Sequence, residues 1–307
     1  MLSVIKNKRK PMKRTEREKL VWGYIFIAPA IIGIIALNVY PILFSIFVSF
    51  VKWDIITPME MVGTANFERM FTSDKLIGTA ISVSTRYTLM AVPLCNIVAL
   101  IMASLLNANI KGRSFFRTIF YIPSIVPAVA NAALWMYIFN PMYGAANELV
   151  RAFGMSRQGW IYSKDMVLQC MAVMAAWGSG GTAIIYLAGL QGVPRHLYES
   201  VEIDGGGIFT KFRAITLPMI SPIIFYNLVM GVIGAMQSFT QGYIMTDGGP
   251  DNASLFYVLL LYRRAFRQME MGYASAMAWL LTIIIATLTL INFGLSRKWV
   301  YLEGDVS

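Results

Sequence analysis

The sequence predicts an all-α integral membrane protein with six transmembrane helices and a helix–Gly–helix loop on one membrane face. Three observations predict it. Of 307 residues, 57% are hydrophobic and only 14% charged, with a mean hydropathy of +0.60; soluble domains carry about 25% charged residues. Six stretches have charge-free interiors long enough to cross a hydrocarbon core, which takes roughly 20 apolar residues per helix. None of them alternates apolar and polar residues, so they are helices and not barrel strands. The abundance of Leu, Ile, Val and Phe excludes a disordered chain. Two cysteines cannot form a disulfide scaffold.

The elements follow in order. Residues 1–19 form a basic tail. The run 20–51 is the first span; it is far longer than a signal-peptide core of about 7–15 residues, and no small-x-small cleavage pattern follows it. The second span is 87–110. The third lies within 118–148, the fourth is 166–194, the fifth lies within 215–246 and the sixth within 273–296. The membrane domain thus covers 20–296, and 297–307 form a second tail. Gly178, Ser179, Gly180 and Gly181 can unwind the fourth span and expose its backbone; close helix packing explains the same glycines. The run 255–262, followed by Arg263 and Arg264, is too short to span. It reads as an amphipathic surface helix or a re-entrant piece. Cys95 and Cys170 fall inside spans and read as small buried hydrophobes.

Charge placement orients the chain. Residues 1–19, 111–117, 195–213 and 297–307 fall on one side and carry 16 of the 26 Lys and Arg; the opposite connections, 52–86, 148–165 and 247–270, carry 10. The positive-inside rule makes the first side, with both termini, cytoplasmic. The net charge of +10 is then a topology signal, aided by anionic lipid, and no nucleic-acid partner is expected.

Several chemistries are excluded. The single histidine, His196, lies in a cytoplasmic loop, so no His-based metal site forms within the membrane. There is no HExxH, no GxSxG and no GxxxxGK[ST] phosphate loop. No catalytic residue and no metal site are expected. The predicted spans lack the buried ionisable relays of proton-coupled carriers, which disfavours a proton-driven carrier and leaves sodium coordination by backbone carbonyls open; without a phosphate loop, an ATP-driven transporter has to borrow its ATPase.

The connection 192–218 is the most informative. Pro194 suits a first helical turn. Leu197 and Val201 share one face, and Tyr198 and Glu202 share another. Gly205, Gly206 and Gly207 break the helix. A second short helix with Ile208, Phe212 and Ile215 leads to Pro218. Glu199-Ser200-Val201, Gly205 and Ile215-Thr216-Leu217-Pro218 stand at the spacing of the EAA loop of ABC importer permeases, which this loop resembles. It departs from that pattern at Ser200 and Val201, where two alanines are usual, and at Gly206, where alanine is usual.

The resemblance covers nearly the whole chain. Asn38-Val39-Tyr40-Pro41 with Ser49-Phe50, Val62 to Phe67, Phe116-Arg117 with Tyr121-Ile122-Pro123, Tyr186 to Gln191, Thr246-Asp247-Gly248-Gly249-Pro250 and Gly272-Tyr273-Ala274-Ser275-Ala276 follow the order seen in maltose-type, binding-protein-dependent carbohydrate-uptake permeases. That resemblance implies a bacterial or archaeal cell membrane and a sugar or oligosaccharide substrate. It implies a second homologous permease subunit, an extracytoplasmic solute-binding protein and two cytoplasmic ATPase subunits that hold the ATP and Mg; this chain binds no cofactor. The coupling residues it implies are Leu197, Tyr198, Glu199, Val201, Asp204 and Gly205, with Leu197, Tyr198 and Val201 entering a cleft on the ATPase.

A sugar needs aromatic platforms and uncharged hydrogen-bonding groups. Asn131, Trp135, Trp177, Gln237, Phe239 and Tyr243 have the right chemistry at plausible depth, although aromatic residues in spans also serve packing. Gly249 and Pro250 make a turn beyond span five, and with Tyr257, Tyr262 and Phe266 they are candidate contacts for the binding protein. A stand-alone secondary carrier or channel for small polar solutes is the competing reading; transport without ATP would distinguish it. An integral-membrane enzyme ranks behind both.

Overall fold

The computed structural model describes residues 14–109 and 111–301. Residues 1–13, Ile110 and 302–307 lie outside the described residues, and with them most of the first basic tail, the end of the predicted second span and much of the last tail. Helix α1 (Arg14–Ile34) passes through a π turn (Ile35–Val39) into α2 (Tyr40–Val48). A short antiparallel hairpin, β1 (Val51–Lys52) and β2 (Glu60–Met61), leads to α3 (Ala65–Thr72). Asp74 then caps α4 (Lys75–Asn107), its carboxylate accepting from the Leu76 N–H at 3.1 Å. The 33 residues of α4 start 12 residues before the predicted span, because the charge-free run stops at Arg86 while the helix does not.

The next spans are bent. Helices α5 (Arg113–Ile125) and α6 (Ala128–Ile138) meet at 100°. The break falls at Pro127, which removes a donor and disfavours helical angles at Val126. After α7 (Ala145–Ala152), α8 (Val167–Trp177) and α9 (Gly180–Gly192) meet at 50°. Helix α10 (Arg195–Ile203) and α11 (Ile208–Lys211) form the loop; α11 runs through a second π turn (Phe212–Thr216) into α12 (Leu217–Met219), bent 65° from α13 (Ser221–Met236). A third π turn (Gly242–Thr246), α14 (Tyr257–Tyr262), a fourth π turn (Arg263–Arg267) and α15 (Met271–Ser296) complete the chain. Three helices are long and apolar enough to cross a membrane, and the chain has six spans when each bent pair is one span. The first two π turns each end two residues before a proline, Pro41 and Pro218. Proline offers no N–H to the carbonyl four residues back, and a widened turn absorbs the mismatch.

Two apolar cores sit along α4. One, at the end bearing the α10–α11 loop, joins Ala99, Ala103 and Leu106 to Tyr186, Leu190, Ile215 and Ile220. The other, toward the opposite end, joins Tyr87, Met171, Phe256, Tyr257 and Met277. The short run 255–262 is therefore a re-entrant plug and not a surface helix: Leu255, Phe256, Tyr257 and Leu259 are fully buried. Its backbone is anchored where Ser84 Oγ accepts from the Tyr257 N–H at 2.9 Å.

Ion pairs tie that opposite end together. Arg264 donates to Asp74 at 2.5 Å, and the Tyr273 hydroxyl donates to the same oxygen at 3.0 Å. Arg69 forms a two-pronged pair with Glu270 at 2.8 and 3.1 Å and lies over the Tyr273 ring at 4.2 Å. The Glu270 hydrogen bond holds the Arg69 pKa above its ordinary value.

Candidate functional site

A cavity of about 480 Å³ opens between α4, the α8–α9 break and α13. The break itself is built by close approach. A Cβ on Gly180 would fall on the Phe120 carbonyl oxygen of α5, and Ser179 Oγ donates to the Ala176 carbonyl at 2.6 Å in place of a continued helix. Asn96, Ser179, Thr182, Asn227, Ser238 and Gln241 line the cavity beside Tyr87 and Tyr226, with no acidic or basic side chain among the lining residues. Gln241 Nε2 donates to the Tyr87 hydroxyl at 2.9 Å. Tyr186 donates to Asn96 Oδ1 at 2.6 Å, and Asn96 Nδ2 donates to the Val92 carbonyl at 2.8 Å. This lining suits a neutral, hydroxyl-rich solute, which needs donors and acceptors without a counter-charge.

The candidates drawn from the sequence fall elsewhere around this space. Trp135 and Trp177 meet edge to face at 5.9 Å; neither they nor Asn131 line the cavity. Asn131 Oδ1 and Trp135 Nε1 are buried without a hydrogen-bond partner. Gln237 points away, into a groove with Val258, Leu261 and Ala278, whereas Ser238 and Gln241 on the next face enter the cavity. Phe239 stacks on Tyr243 at 5.2 Å, and Tyr262 packs against both at 5.1 and 5.5 Å. Arg267 lies over the Tyr243 ring at 5.5 Å. Sequence reasoning passed over Asn96 and Asn227. The available signal was an isolated carboxamide inside an otherwise apolar span, a group that is costly in lipid and so has to face an interior.

At the opposite end, Ser254 Oγ donates to the Gly249 carbonyl at 2.6 Å, and Gly249 and Pro250 are half-buried in the turn. Asp247 pairs with Arg263 at 3.1 Å and Arg267 at 3.2 Å. Burial alone would raise its pKa, but the hydrogen bonds from the two arginines outweigh that and hold the carboxyl below its usual value. Tyr257 corrects an expectation. It was expected to face a partner, yet it is 0% exposed and its hydroxyl donates to the Met277 carbonyl at 2.9 Å. Six of the seven positions from 254 to 260 are buried, with Val258 half-buried, and leave that stretch little free surface. Tyr262 and Phe266, one turn on, retain exposure.

The α10–α11 loop also reverses an expectation. Leu197, Tyr198 and Val201 pack inward on the chain's own core, and Tyr198 shares a hydrogen bond with Thr216 Oγ1 at 3.1 Å. The outward face carries Glu199 and Asp204, with Ile203, Ile208 and Phe209 exposed at 86%, 88% and 75%. Lys211 pairs with Glu202 across the bend. Gly205 has φ +75° with open space around it, so it is required by backbone angle alone. Gly206 is required by space: a Cβ there would overlap Val201 Cγ1 and lie 3.0 Å from the Val201 carbonyl oxygen. Two of the three departures from the EAA pattern, a larger residue at 201 and a smaller one at 206, thus compensate each other within one contact.

Residues 96–299 match the family described as binding-protein-dependent transport system inner membrane component, a stretch that holds most of the cavity wall and all of the loop. The chain belongs to this family. It is 39% identical over 95% of its length, and 95% of the relative's, to the probable ABC transporter permease protein YesP of Bacillus subtilis. It is 32% identical to the arabinooligosaccharides transport system permease protein AraP of the same organism, over 90% of this chain and 88% of that one. Its fold is similar to a chain in the crystal structure of a bacterial alginate ABC transporter, with a TM-score of 0.78 at 20% identity, over 92% of this chain and 96% of that one. Among the described residues no group of His, Cys, Asp and Glu could hold a metal ion.

Proposed function

We propose that the chain is the permease subunit of an ATP-driven saccharide importer, forming half of the translocation pathway. The observation that carries this reading is the outward face of the α10–α11 loop. Ile203, Ile208 and Phe209 leave apolar side chains exposed on a loop braced on the bundle by Leu197, Tyr198 and Val201, with Ile208 and Phe209 bordering an open groove beside Ile101 and Leu105 of α4. A stiff element with an exposed apolar tip transmits force only if it is seated in a partner, and the partner is a cytoplasmic ATPase that holds ATP and Mg. Glu199, exposed at the rim, pairs there with a basic residue of that ATPase. Asp204 and Gly205 set the bend. Both termini are then cytoplasmic, and the opposite end, with Gly249, Pro250, Tyr262 and Phe266, meets an extracytoplasmic solute-binding protein.

A second, homologous permease completes the pathway around the neutral cavity, and two ATPases power it. The chain itself binds no cofactor and performs no catalysis. Asn131 and the aromatic residues Trp135, Trp177, Phe239 and Tyr243 form the surround of that pathway, and Gln237 faces lipid or a neighbouring subunit.

The test is reconstitution with the neighbouring transport subunits in vesicles, following ATP hydrolysis and saccharide uptake. Ile203→Asp, Phe209→Ala and Glu199→Lys should each cut uptake at least about tenfold, since losing roughly 1.4 kcal/mol of docking suffices. Normal stimulated hydrolysis and uptake in all three variants, or wild-type uptake without ATP, would overturn the assignment; the latter would favour a secondary carrier.

A further inference from the structure

Resting on the importer reading, we propose that the segment 297–301 is a latch on the exit of the coupling loop, and that Ser221 is the positioning residue through which it acts. The loop and α12 form one mechanical unit. Tyr198 bonds Thr216 Oγ1, Lys211 pairs with Glu202, and Val201 packs on the core that holds Ile215 and Ile220. That unit leads into span five through the 65° bend between α12 and α13. The bend lacks a backbone bond. Pro222 has no N–H to give the Pro218 carbonyl four residues back, and the Ser221 hydroxyl donates to that carbonyl at 2.6 Å. Ser221 is 2% exposed, and its Oγ also accepts the Tyr301 N–H at 2.8 Å. One buried hydroxyl thus joins the end of the chain to the bend.

A turn after α15 brings the segment across that bend. The Trp299 and Val300 N–H groups both donate to the Ser296 carbonyl, at 3.0 and 2.9 Å. Trp299 meets Phe225 edge to face at 6.4 Å, and Phe225 meets Phe293 of α15 at 4.9 Å. Phe225 lies one turn into α13 from Ser221, so the contacts run along that helix to its first residue. The relay from the Tyr301 N–H through Ser221 Oγ to the Pro218 carbonyl polarises each bond in turn. Without Tyr301 a buried oxygen loses a partner, and one remaining side-chain bond sets the angle of the bend. A loop that swivels at its exit passes on only part of the ATPase stroke. Hydrolysis then continues while uptake falls behind.

The experiment uses the complete complex in vesicles with its ATPases and binding protein, and reads saccharide moved per ATP hydrolysed. Truncation after Lys298 removes the latch, whereas truncation after Tyr301 keeps it and serves as the control. Truncation after Lys298, and Ser221→Ala in the full chain, should each lower the ratio about three- to tenfold, the worth of one hydrogen bond. The control should match wild type. The two changes combined should do no more than the larger single one, because they break the same relay. Spin labels on Thr210→Cys and Leu290→Cys, both exposed sites, with Cys95 and Cys170 replaced by alanine, should give a broader distance distribution in both variants. An unchanged ratio overturns the proposal. So does an equal fall of hydrolysis and uptake, the mark of mere instability, and so do fully additive effects. If the truncated chain does not assemble, Ser221→Ala alone decides. A wild-type complex without ATP-dependent uptake refutes the importer reading instead, and the label distances still decide the latch.

Discussion

The contact between Val201 and Gly206 makes the most stringent prediction. Gly206→Ala places a methyl group on Val201 Cγ1 and against the Val201 carbonyl, with Thr210 Cγ2 at 3.3 Å on the other side. The Val201 carbonyl is fixed because it accepts the Gly206 N–H at 2.8 Å, so relief has to come from the Val201 side chain or from opening the bend. Overpacking of this kind costs about 1–3 kcal/mol. Val201→Ala alone removes two methyl groups from a half-buried position and costs on the order of 1 kcal/mol. Together the changes put back one of the two lost methyl groups, moved from residue 201 to residue 206, and remove the overlap. The double variant should therefore be more stable than the sum of the singles by about 1–2 kcal/mol. Hydrogen exchange at Asp204, Gly205 and Gly206, whose N–H groups close the end of α10, reads this directly. A 2 kcal/mol loss speeds exchange through local opening about thirtyfold. Exchange in Gly206→Ala that matches wild type, or a double variant as fast as that single, refutes the steric argument.

Three further outcomes are expected. At Gly205 the constraint is the backbone angle, so Gly205→Asn should be tolerated, whereas Gly205→Val should cost about 1–2 kcal/mol and show as faster exchange in the same amides. Asp74→Ala should destabilise the complex by about 2 kcal/mol, seen as a lower midpoint of thermal inactivation, because it removes the cap of α4 and the close partner of a largely buried Arg264, which keeps Glu270 at 3.8 Å and Gln268 at 2.6 Å; removing both partners should cost less. Reporter fusions near residues 60, 155 and 251 should read extracytoplasmic, and those near 112 and 205 cytoplasmic. The third is sited at exposed Asp251 because Leu255 is buried, and any reversed site breaks the orientation.

Hydropathy made the spans legible because lipid imposes the same demand on every segment that crosses it. It could not show where a span bends, since both arms of a bent pair are equally apolar. Pro127 marked one break and Gly178 to Gly181 another. Hydropathy also misjudged 255–262: a run too short to cross looks alike whether it lies on the surface or plugs the core. In the loop, the spacing of Leu197 and Val201 correctly indicated a buried face. Spacing is silent on whether the burying surface belongs to the chain or to a partner, and the structure shows the chain's own bundle. Along the pathway the aromatic residues drew attention by size, whereas the cavity is lined by Asn96, Asn227, Ser238 and Gln241, small groups whose importance comes from burial.

The Gly180–Phe120 contact bears on how such a cavity could change shape. Span four tightens at Ser179, whose N–H donates to the carbonyl three residues back, and at Gly180 the main chain of α5 rests against it with no room for a side chain. The two main chains touch directly at this point, while beside it the Phe120 side chain packs on the core that holds Ala183, Tyr186 and Leu187 of α9. The two arms of span four diverge from this point, one carrying the cavity wall at Ala175 and the other leading to α10. A lever needs such a fulcrum. A methyl group at position 180 would have to push the Phe120 carbonyl away, parting α5 from that fulcrum.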